Sequence, residues 1–208
     1  FRRVLFRSEF QKICPGIGIT LKIDNRENIL QMLARNEVDL VIMGRAPKDM
    51  DCIATPFATN PMGIVCGPKH PLSRRVQMPF ENLADQTFVV REQGSGTRQA
   101  MERIFNEHNT PLLIAMEMPS NETIKQAVMA GMGIAFISAH TIAMELELGR
   151  LKILDVEGMP IRRQWYGVTR ADREANPAMR AFNEFLVAEG ARYLPFIPTI
   201  YPIQPDEG

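Results

Sequence analysis

The sequence has no excess of charge of either sign and no long apolar run. Lys and Arg together number 24, and Asp and Glu together number 24, so the formal net charge at pH 7 is zero. A domain without net positive charge lacks the phosphate attraction on which most DNA binding depends. No apolar run reaches the length of a membrane-spanning helix, and no export signal is recognisable. We therefore expect neither a DNA-binding surface nor a membrane segment within these residues.

Cysteine and histidine are also scarce. The three cysteines are odd in number and widely spaced, and no C-x-x-C pair occurs. This spacing favours buried free thiols in a reducing compartment over disulfides. The three histidines lie far apart and share no metal-ligand spacing. The sequence therefore predicts no metal, no cofactor and no thiol-based catalysis.

Apolar patterning predicts strands that alternate with helices. Residues 17–23 (IGITLKI) alternate apolar and polar side chains as a strand does, and residues 38–44 (VDLVIMG) form the continuous apolar run of a buried strand. Asn25 is a suitable N-cap for a helix between them. Two further strands are predicted in CIATPFAT (52–59) and PMGIVCGP (61–68).

A second, similar cycle of strands and helices begins at residue 86. QTFVV and LLIAMEM are predicted strands, and GTRQAMERIFNEHN is a predicted helix with Met101, Ile104, Phe105 and His108 on one face. NETIKQAVMAG predicts another helix, with Ile124, Ala127 and Val128 facing inward. Four methionines are interpreted as core residues, namely Met116, Met118, Met129 and Met132. Alternation from end to end predicts an α/β fold with mostly parallel sheets.

The two cycles predict two α/β lobes joined by two crossing strands, with a ligand cleft between the lobes. Lobe I is assigned to residues 9–68 and 166–192, and lobe II to residues 69–165. Residues 1–8 (FRRVLFRS) match no pattern that follows, so we interpret them as a non-native scar outside the fold. Residues 193–208 contain four prolines and no periodicity, which predicts an extended or disordered tail.

Polar side chains follow four of the predicted strands. The stretches are DNRE (24–27), GRAP (44–47), GSGTR (94–98) and PSNET (119–123), and three of them begin helices. In open parallel sheets, ligands bind beyond the carboxyl ends of strands, where helix N-termini converge. Helix N-termini together with arginines favour a small anion that carries phosphate or carboxylate.

Each of these features also has a structural alternative. Asn25, and Ser120 or Asn121, are as well explained as N-caps, and Ser95 and Thr97 can also cap a helix. Arg26 is as well explained as a residue on a solvated helix face. Arg45 follows a buried strand, where a charge is harder to explain. The GSGTR stretch is neither a Walker loop nor a dinucleotide fingerprint, because the following lysine and the G-x-G-x-x-G spacing are both lacking.

Several segments carry a resemblance to a known family. They are NRENILQMLARNEVDLVIMGR, GPKHPL, VVREQGSGTRQAMERIF, SNETIKQAVMAGMGIAFIS and GRLKILDVEGMPIRRQWYGV. From about Glu9 to Ala188 the sequence resembles the effector-binding domain of LysR-type transcriptional regulators, in particular the subgroup that controls RuBisCO operons of the Calvin cycle.

The resemblance implies a fold of periplasmic-binding-protein type 2 and a cytoplasmic homo-oligomer, either a dimer or a tetramer. It implies a small anionic metabolite, a phosphosugar or organic acid, as effector in the control of carbon-fixation genes. Promoter DNA would be bound only through an N-terminal winged helix-turn-helix, which is absent from this chain together with the first strand of lobe I. Matching motifs imply effector contacts by Asn25, Arg26, Arg45, Ser95, Gly96, Thr97, Arg98, Ser120, Asn121 and Glu122.

Two other functions fit the same two-lobed scaffold. One is a solute-binding protein of a transporter, and the other is an enzyme similar to prephenate dehydratase. GSGTR has no base partner at a recognisable spacing, so we predict that the protein is not an enzyme.

Overall fold

The computed structural model describes residues 3–174 and 176–197. The α-helices are α1 (Arg3–Ile13), α2 (Arg26–Ala34), α3 (Gly96–Glu107), α4 (Asn121–Met129), α5 (Ala143–Glu147) and α6 (Pro177–Glu189). The strands are β1 (Val41–Met43), β2 (Cys52–Cys66), β3 (Thr87–Arg91), β4 (Leu113–Met118), β5 (Ala135–Ser138), β6 (Lys152–Ile153) and β7 (Ile161–Arg170). Four short 3₁₀ helices lie at Pro71–Arg74, Phe80–Leu83, Ala139–Thr141 and Gly190–Tyr193.

The chain forms two compact units that both contain helices and strands. Unit 1 comprises Phe1–Asn60 and Arg163–Leu194, and unit 2 comprises Pro61–Arg162 with the chain from Pro195 onward. Strands β2 and β7 each run across a boundary between the units. The chain leaves unit 1 after residue 60 and returns at residue 163, whereas the sequence predicts these points at 68 and 166.

The prediction of mostly parallel sheets is wrong. In unit 1, β1 pairs antiparallel with β7, and in unit 2, β2 pairs antiparallel with both β5 and β6. Of these pairs of named strands, β3 and β4 are parallel. The prediction assumed a helical crossover before every strand, but β2 and β7 enter their units without one, so their direction is free to oppose that of the neighbouring strand.

Two strand predictions also differ from the structure. Residues 52–66 form one strand, not two, because the Asn60–Pro61 pair does not turn the chain. Proline is compatible with a strand wherever its missing N–H would have had no partner in the ladder. Residues 17–23 form no strand, although Ile17, Ile19 and Leu21 are half-buried and alternate with exposed neighbours. The pattern faces the core as predicted, but in the described chain no neighbouring strand pairs with it.

The first residues of the chain contribute to the core of unit 1. Helix α1 begins at Arg3, and Phe6 and Phe10 are each only 1% exposed. The Phe6 ring lies edge-on to that of Phe57 at a centroid distance of 5.8 Å. The expectation that these residues lie outside the fold is therefore wrong for residues 3–8, and their non-native origin stays a prediction.

The predicted tail is described only in its first part. Tyr193 ends a short 3₁₀ helix, and Ile197 is buried in an apolar cluster with Ala139. The expectation of an extended or disordered tail therefore does not hold up to residue 197. Residues 198–208 lie outside the described residues.

Helices α3 and α4 bury the faces that the sequence predicts, except that His108, the C-cap of α3, is exposed. On α3, Met101, Ile104 and Phe105 are at most 4% exposed. On α4, Ile124, Ala127 and Val128 are at most 5% exposed.

The interpretation of four methionines as core residues is only half correct. Met118 and Met129 are partly buried and pack against the core of unit 2. Met116 and Met132 are 40% and 50% exposed, so the interpretation is wrong for these two. Among the described residues, no helix has the length and apolar character to cross a lipid bilayer.

Candidate functional site

In unit 2, two helix N-termini lie at the same edge of the parallel pair β3–β4. The last residue of β3, Arg91, is in register with Met118, the last residue of β4. Helix α3 follows β3 after a short turn, and α4 follows β4 after Pro119 and Ser120. The positive dipole ends of both helices therefore lie next to each other.

Serine side chains cap both helices. Ser95 Oγ accepts a hydrogen bond from the backbone N–H of Thr97 at 3.3 Å, and Ser120 Oγ accepts one from Thr123 at 3.2 Å. Gly94 precedes the first cap with a φ of 81°, a left-handed conformation that glycine adopts without a steric penalty. The capping alternative is confirmed for both serines, and their contact with an effector stays a prediction.

Arg91 links the two helix starts. Its Nε and Nη2 bind the two carboxylate oxygens of Glu92 at 2.6 and 2.8 Å, and its Nη1 donates to Asn121 Oδ1 at 3.1 Å. Sequence reasoning missed Arg91, although it follows the buried run FVV as Arg45 follows VIMG. A charged residue directly after a buried strand is the sequence signal that could have identified Arg91.

Arg98 is buried, and its charge is balanced internally. Its Nε donates to Glu102 Oε1 at 2.5 Å, and its Nη1 lies 3.5 Å from Glu117 Oε2. The same Nη1 donates to the carbonyl oxygen of Arg91 at 3.2 Å. Arg98 therefore ties the first turn of α3 to β3 and β4. Direct contact with an effector stays a prediction.

Glu122 adds negative charge to the first turn of α4. Its carboxylate lies 2.7 Å from Lys125 Nζ and accepts a hydrogen bond from Gln126 Nε2 at 3.2 Å. The hydrogen bond from Lys125 holds the pKa of Glu122 below its usual value. Burial alone would lower the pKa of Lys125, but hydrogen bonds to Glu122 and Glu145 raise it above the ordinary value. An ionised Glu122 disfavours a second anion at this helix start.

In unit 1, the predicted residues Asn25, Arg26 and Arg45 lie together. Asn25 Oδ1 caps α2 by accepting the N–H of Asn28 at 2.9 Å. Arg26 donates to the carbonyl oxygens of Arg45 at 2.6 Å and Ala46 at 3.5 Å. Burial, with the charge of Arg45 as a second cause, lowers the pKa of Arg26. Arg26 thus does not lie on a solvated face but holds the chain after β1.

Arg45 differs from the other arginines because its side chain is exposed. Within the described chain its guanidinium forms no hydrogen bond or ion pair. A side chain on the preceding residue would crowd Asn60, because a Cβ on Gly44 would lie 3.2 Å from Asn60 Nδ2. Arg26 and Gly44 together fix the backbone from which Arg45 projects.

The structure thus brings the predicted residues together in two groups. Unit 1 holds Asn25, Arg26 and Arg45. Unit 2 holds the other seven, Ser95, Gly96, Thr97, Arg98, Ser120, Asn121 and Glu122, together with Arg91, Glu92 and Glu117, which sequence reasoning did not select.

The described residues bring no metal-binding cluster together, and burial suppresses the reactivity of Cys66 and His140. No three His, Cys, Asp or Glu side chains in residues 3–174 and 176–197 are placed to hold a metal ion. Burial raises the pKa of the Cys66 thiol to about 11, which keeps it protonated and unreactive at neutral pH. Burial also lowers the pKa of His140 to about 4, so it is a neutral core residue there.

Comparison with known proteins identifies the family. A family profile described as LysR substrate binding domain matches residues 6–191. The chain is 48% identical over 183 residues to the RuBisCO operon transcriptional regulator of Allochromatium vinosum, covering 88% of this chain and 61% of that protein. It is 47% identical over 194 residues to the HTH-type transcriptional regulator CbbR of Rhizobium meliloti (strain 1021), covering 93% and 62%. The chain thus spans about three fifths of the length of these relatives.

Solved structures show the same fold. The CcmR regulatory domain of Synechocystis PCC6803, solved in complex with 2-PG, matches with a TM-score of 0.85 at 36% identity over 89% of both chains. The regulatory domain of NMB2055 (MetR) from N. meningitidis matches with a TM-score of 0.72 at 19% identity over 92% of this chain and 88% of that one, which shows the fold alone.

The fold is therefore of the periplasmic-binding-protein type 2 kind, with two α/β lobes joined by two crossing strands. Its relatives are transcriptional regulators and not enzymes. The resemblance seen in the sequence motifs is confirmed, including its link to regulators of RuBisCO operons. The chain belongs to the LysR substrate-binding domain family.

Proposed function

We propose that this chain is the ligand-sensing domain of a LysR-type transcriptional regulator, and that it binds a small anionic metabolite to control carbon-fixation genes. Identity of 48% to a RuBisCO operon regulator supports the class of target gene. Identity of 36% to a regulatory domain solved with 2-PG supports a small anion as effector. A phosphosugar or an organic acid is the expected class of ligand.

The observation that carries the proposal is the pair of helix N-termini at the end of β3 and β4. Backbone N–H groups and helix dipoles stabilise a phosphate or carboxylate without a covalent step. Thr97 lies in the first turn of α3, and its hydroxyl forms no hydrogen bond within the described residues, so it is available to a ligand. Arg91 donates to Asn121 and so holds the start of α4 beside that of α3, while Glu92 balances its charge. Because ionised Glu122 disfavours an anion at the start of α4, the start of α3 is the place that we propose for the ligand's anionic group.

The residues at these helix starts are arranged for binding and not for turnover. Arg91 and Arg98 are tied to carboxylates, and no nucleophile with a base partner lies among the described groups of the site. An effector that binds one conformation more tightly shifts the population toward it. A tenfold preference corresponds to about 1.4 kcal/mol, within the usual range of allosteric coupling.

The regulator works as a cytoplasmic homo-oligomer, a dimer or a tetramer, and reaches promoter DNA through polypeptide outside this chain. Zero net charge supports the assignment of DNA binding elsewhere. The outer edge of β4 supports self-association, since Leu113, Ile114 and Met116 are 44%, 46% and 40% exposed. A second copy that covers this edge would bury these apolar side chains.

The oligomer is tested by light scattering on Ile114→Lys beside Ile53→Lys. Ile53 is 57% exposed in unit 1, so its variant controls for the added charge. We expect Ile114→Lys to lower the molar mass in solution and Ile53→Lys to leave it unchanged. An unchanged mass in both variants places the interface elsewhere.

The effector is tested by thermal melting with 2-PG, phosphosugars and organic acids, while ligand integrity is followed by mass spectrometry. We expect stabilisation without product, and any turnover would contradict a sensor. Thr97→Val removes one hydroxyl and is expected to abolish the ligand-induced shift in unit 2 while leaving the melting temperature without ligand nearly unchanged. Thr20→Val, at an exposed position of unit 1, is the control.

The group in unit 1 is tested separately with Arg45→Ala. The exposed, unpaired guanidinium contributes little to stability, so loss of the ligand-induced shift would report binding. Arg75→Ala removes another exposed arginine and is the control. A full ligand response in both Arg45→Ala and Thr97→Val would show that the effector binds elsewhere.

A further inference from the structure

Five exposed cations of unit 2 lie on two segments that contain no acidic residue. Residues 67–77 (GPKHPLSRRVQ) carry three of them, and residues 149–152 (GRLK) carry two. The five are Lys69, Arg74, Arg75, Arg150 and Lys152. Within the described chain, none of these side chains forms an ion pair or a hydrogen bond. Four other cations of unit 2 do form ion pairs, namely Arg91, Arg98, Arg103 and Lys125.

Backbone pairing places the two segments next to each other. Cys66, the last residue of β2, is in register with Lys152 of β6, and residues 67–77 follow directly. After them, the N–H of Met78 donates to the carbonyl oxygen of Asp155 at 2.9 Å. Lys152 and Asp155 are three residues apart, so the two ends of residues 67–77 are separated by roughly 10 Å. This loop therefore folds back on itself, and its cations stay near those of residues 149–152.

The loop of residues 67–77 is anchored and internally hydrogen-bonded. Leu72 is 6% exposed and packs into the core of unit 2. His70 Nδ1 accepts the N–H of Leu72 at 3.2 Å, and Ser73 Oγ donates to the carbonyl oxygen of Pro68 at 3.0 Å. Burial lowers the pKa of His70, so its ring is neutral at pH 7. A loop that is ordered before binding loses little conformational entropy when a partner binds.

An apolar side chain lies among these cations. Val76 follows Arg74 and Arg75 directly and is 75% exposed, more than Met144 and Leu148 at 67% each. Contacts to DNA phosphates would leave this side chain uncovered. An acidic polypeptide can supply carboxylates for the cations and an apolar side chain for Val76 together. The combination therefore favours a protein partner over nucleic acid.

We propose that residues 67–77 and 149–152 form a basic docking surface for an acidic segment of a partner protein, which carries an apolar side chain among its carboxylates. The unpaired cations attract the carboxylates, and the apolar side chain covers Val76. The basic docking surface contains none of the residues proposed to bind the effector. The inference is thus independent of the proposed effector site.

The charge of the surface is tested with the peptide fluorescein-EEDLEDE-NH2 by fluorescence anisotropy at an ionic strength of about 20 mM, where screening is weak. We expect Arg74→Glu/Arg75→Glu to weaken binding by at least about tenfold, because the reversed charges repel the peptide. The matched control, Arg35→Glu/Lys48→Glu, reverses two exposed cations of unit 1 and reaches the same net charge.

The control variant is expected to change binding by less than about twofold, since exposed charges remote from the peptide are partly screened. Equal weakening in both variants would show attraction to the overall charge and would overturn the proposal. Absence of peptide binding at millimolar concentration would overturn it as well. Melting temperatures of both variants confirm that they are folded.

The apolar contact is tested with Val76→Ser and a second peptide, EEDSEDE, in which serine replaces leucine. We expect Val76→Ser to weaken binding of the leucine peptide by about threefold and to leave binding of the serine peptide unchanged. Ile53→Ser changes a side chain of unit 1 that is 57% exposed and is the control. Equal effects of Val76→Ser on both peptides would contradict an apolar contact at Val76.

Nucleic acid is tested as the alternative occupant by competition. An unlabelled DNA duplex and the unlabelled leucine peptide each displace the labelled peptide, and the two are compared at equal concentrations of negative charge. We expect the peptide to compete more strongly, because only the peptide covers Val76. Stronger competition by the duplex would identify nucleic acid as the partner and overturn the proposal.

Discussion

Residues 17–22 in unit 1 and β3 in unit 2 have similar apolar character but different structures. Val89 and Val90 of β3 are almost fully buried, and the strand pairs with β4 and bridges to Ile134. Residues 17–22 alternate half-buried and exposed side chains but pair with no strand in the described chain. Side-chain pattern therefore decides which face is buried, whereas a hydrogen-bonding neighbour decides whether a strand forms.

The arginines of the two units also differ in whether neighbouring residues bind them. In unit 2, Arg98 is buried among Glu102, Glu117 and the carbonyl oxygen of Arg91. In unit 1, Arg45 is exposed, and Arg26 binds the backbone that carries it. One unit uses its arginine to join elements, and the other leaves an arginine open to solvent. Of Arg26, Arg45 and Arg98, Arg45 is the one whose charge is exposed to solvent.

The largest expected effect is a loss of stability when a side chain in the core of unit 2 is truncated. Leu83 is fully buried among Phe and Met side chains, so Leu83→Ala leaves a cavity that the rigid core fills only in part. We expect a loss of about 2–5 kcal/mol in the free energy of unfolding. Urea unfolding followed by hydrogen exchange in unit 2 measures it. A loss below 1 kcal/mol (roughly the low end for core truncations) would show that this core relaxes.

The second-largest expected effect is a loss of stability of unit 2 at acid pH. The buried neutral His140 has a pKa lowered from 6.5 to about 4 by burial, so the unfolded chain takes up a proton more readily. Its contribution to stability is complete above pH 6.5 and is lost as pH falls from 6.5 to about 4. The loss amounts to about 3 kcal/mol. We expect His140→Gln to reduce the dependence of the unfolding free energy on pH in this range. Urea unfolding at a series of pH values measures this dependence. An unchanged dependence would contradict the burial of His140 as its cause.

Sequence patterns predicted the two-lobed α/β fold, the buried faces of α3 and α4 and the caps at Ser95 and Ser120, because each depends on local periodicity or on one side chain. They did not predict strand direction in the main sheet or the single strand β2, since both depend on contacts distant in sequence. The roles of Arg91 and Arg98 also depended on such contacts, because Glu117 and Asn121 come from a different strand and helix.

A smaller loss of stability is expected to distinguish the buried Arg98 from the exposed Arg45. Arg98→Met keeps a long apolar stem but removes the charge that Glu102 and Glu117 share. We expect a loss of about 1–3 kcal/mol, below that of a fully buried pair, because both carboxylates are partly exposed. Arg45→Met is expected to change stability by less than about 0.5 kcal/mol. Chemical denaturation compares the two variants, and equal losses would contradict the distinction between a joining and an open arginine.

The smallest effect is expected for the same leucine truncation at Leu21, which borders a cavity of about 400 Å³ in unit 1. Leu21 is half-buried, so Leu21→Ala removes fewer packed contacts than Leu83→Ala does. We expect a loss below about 1 kcal/mol in the free energy of unfolding, measured by the same denaturation experiment. A loss as large as that of Leu83→Ala would mean that residues 17–22 are packed as tightly as the core of unit 2, although they pair with no strand in the described chain.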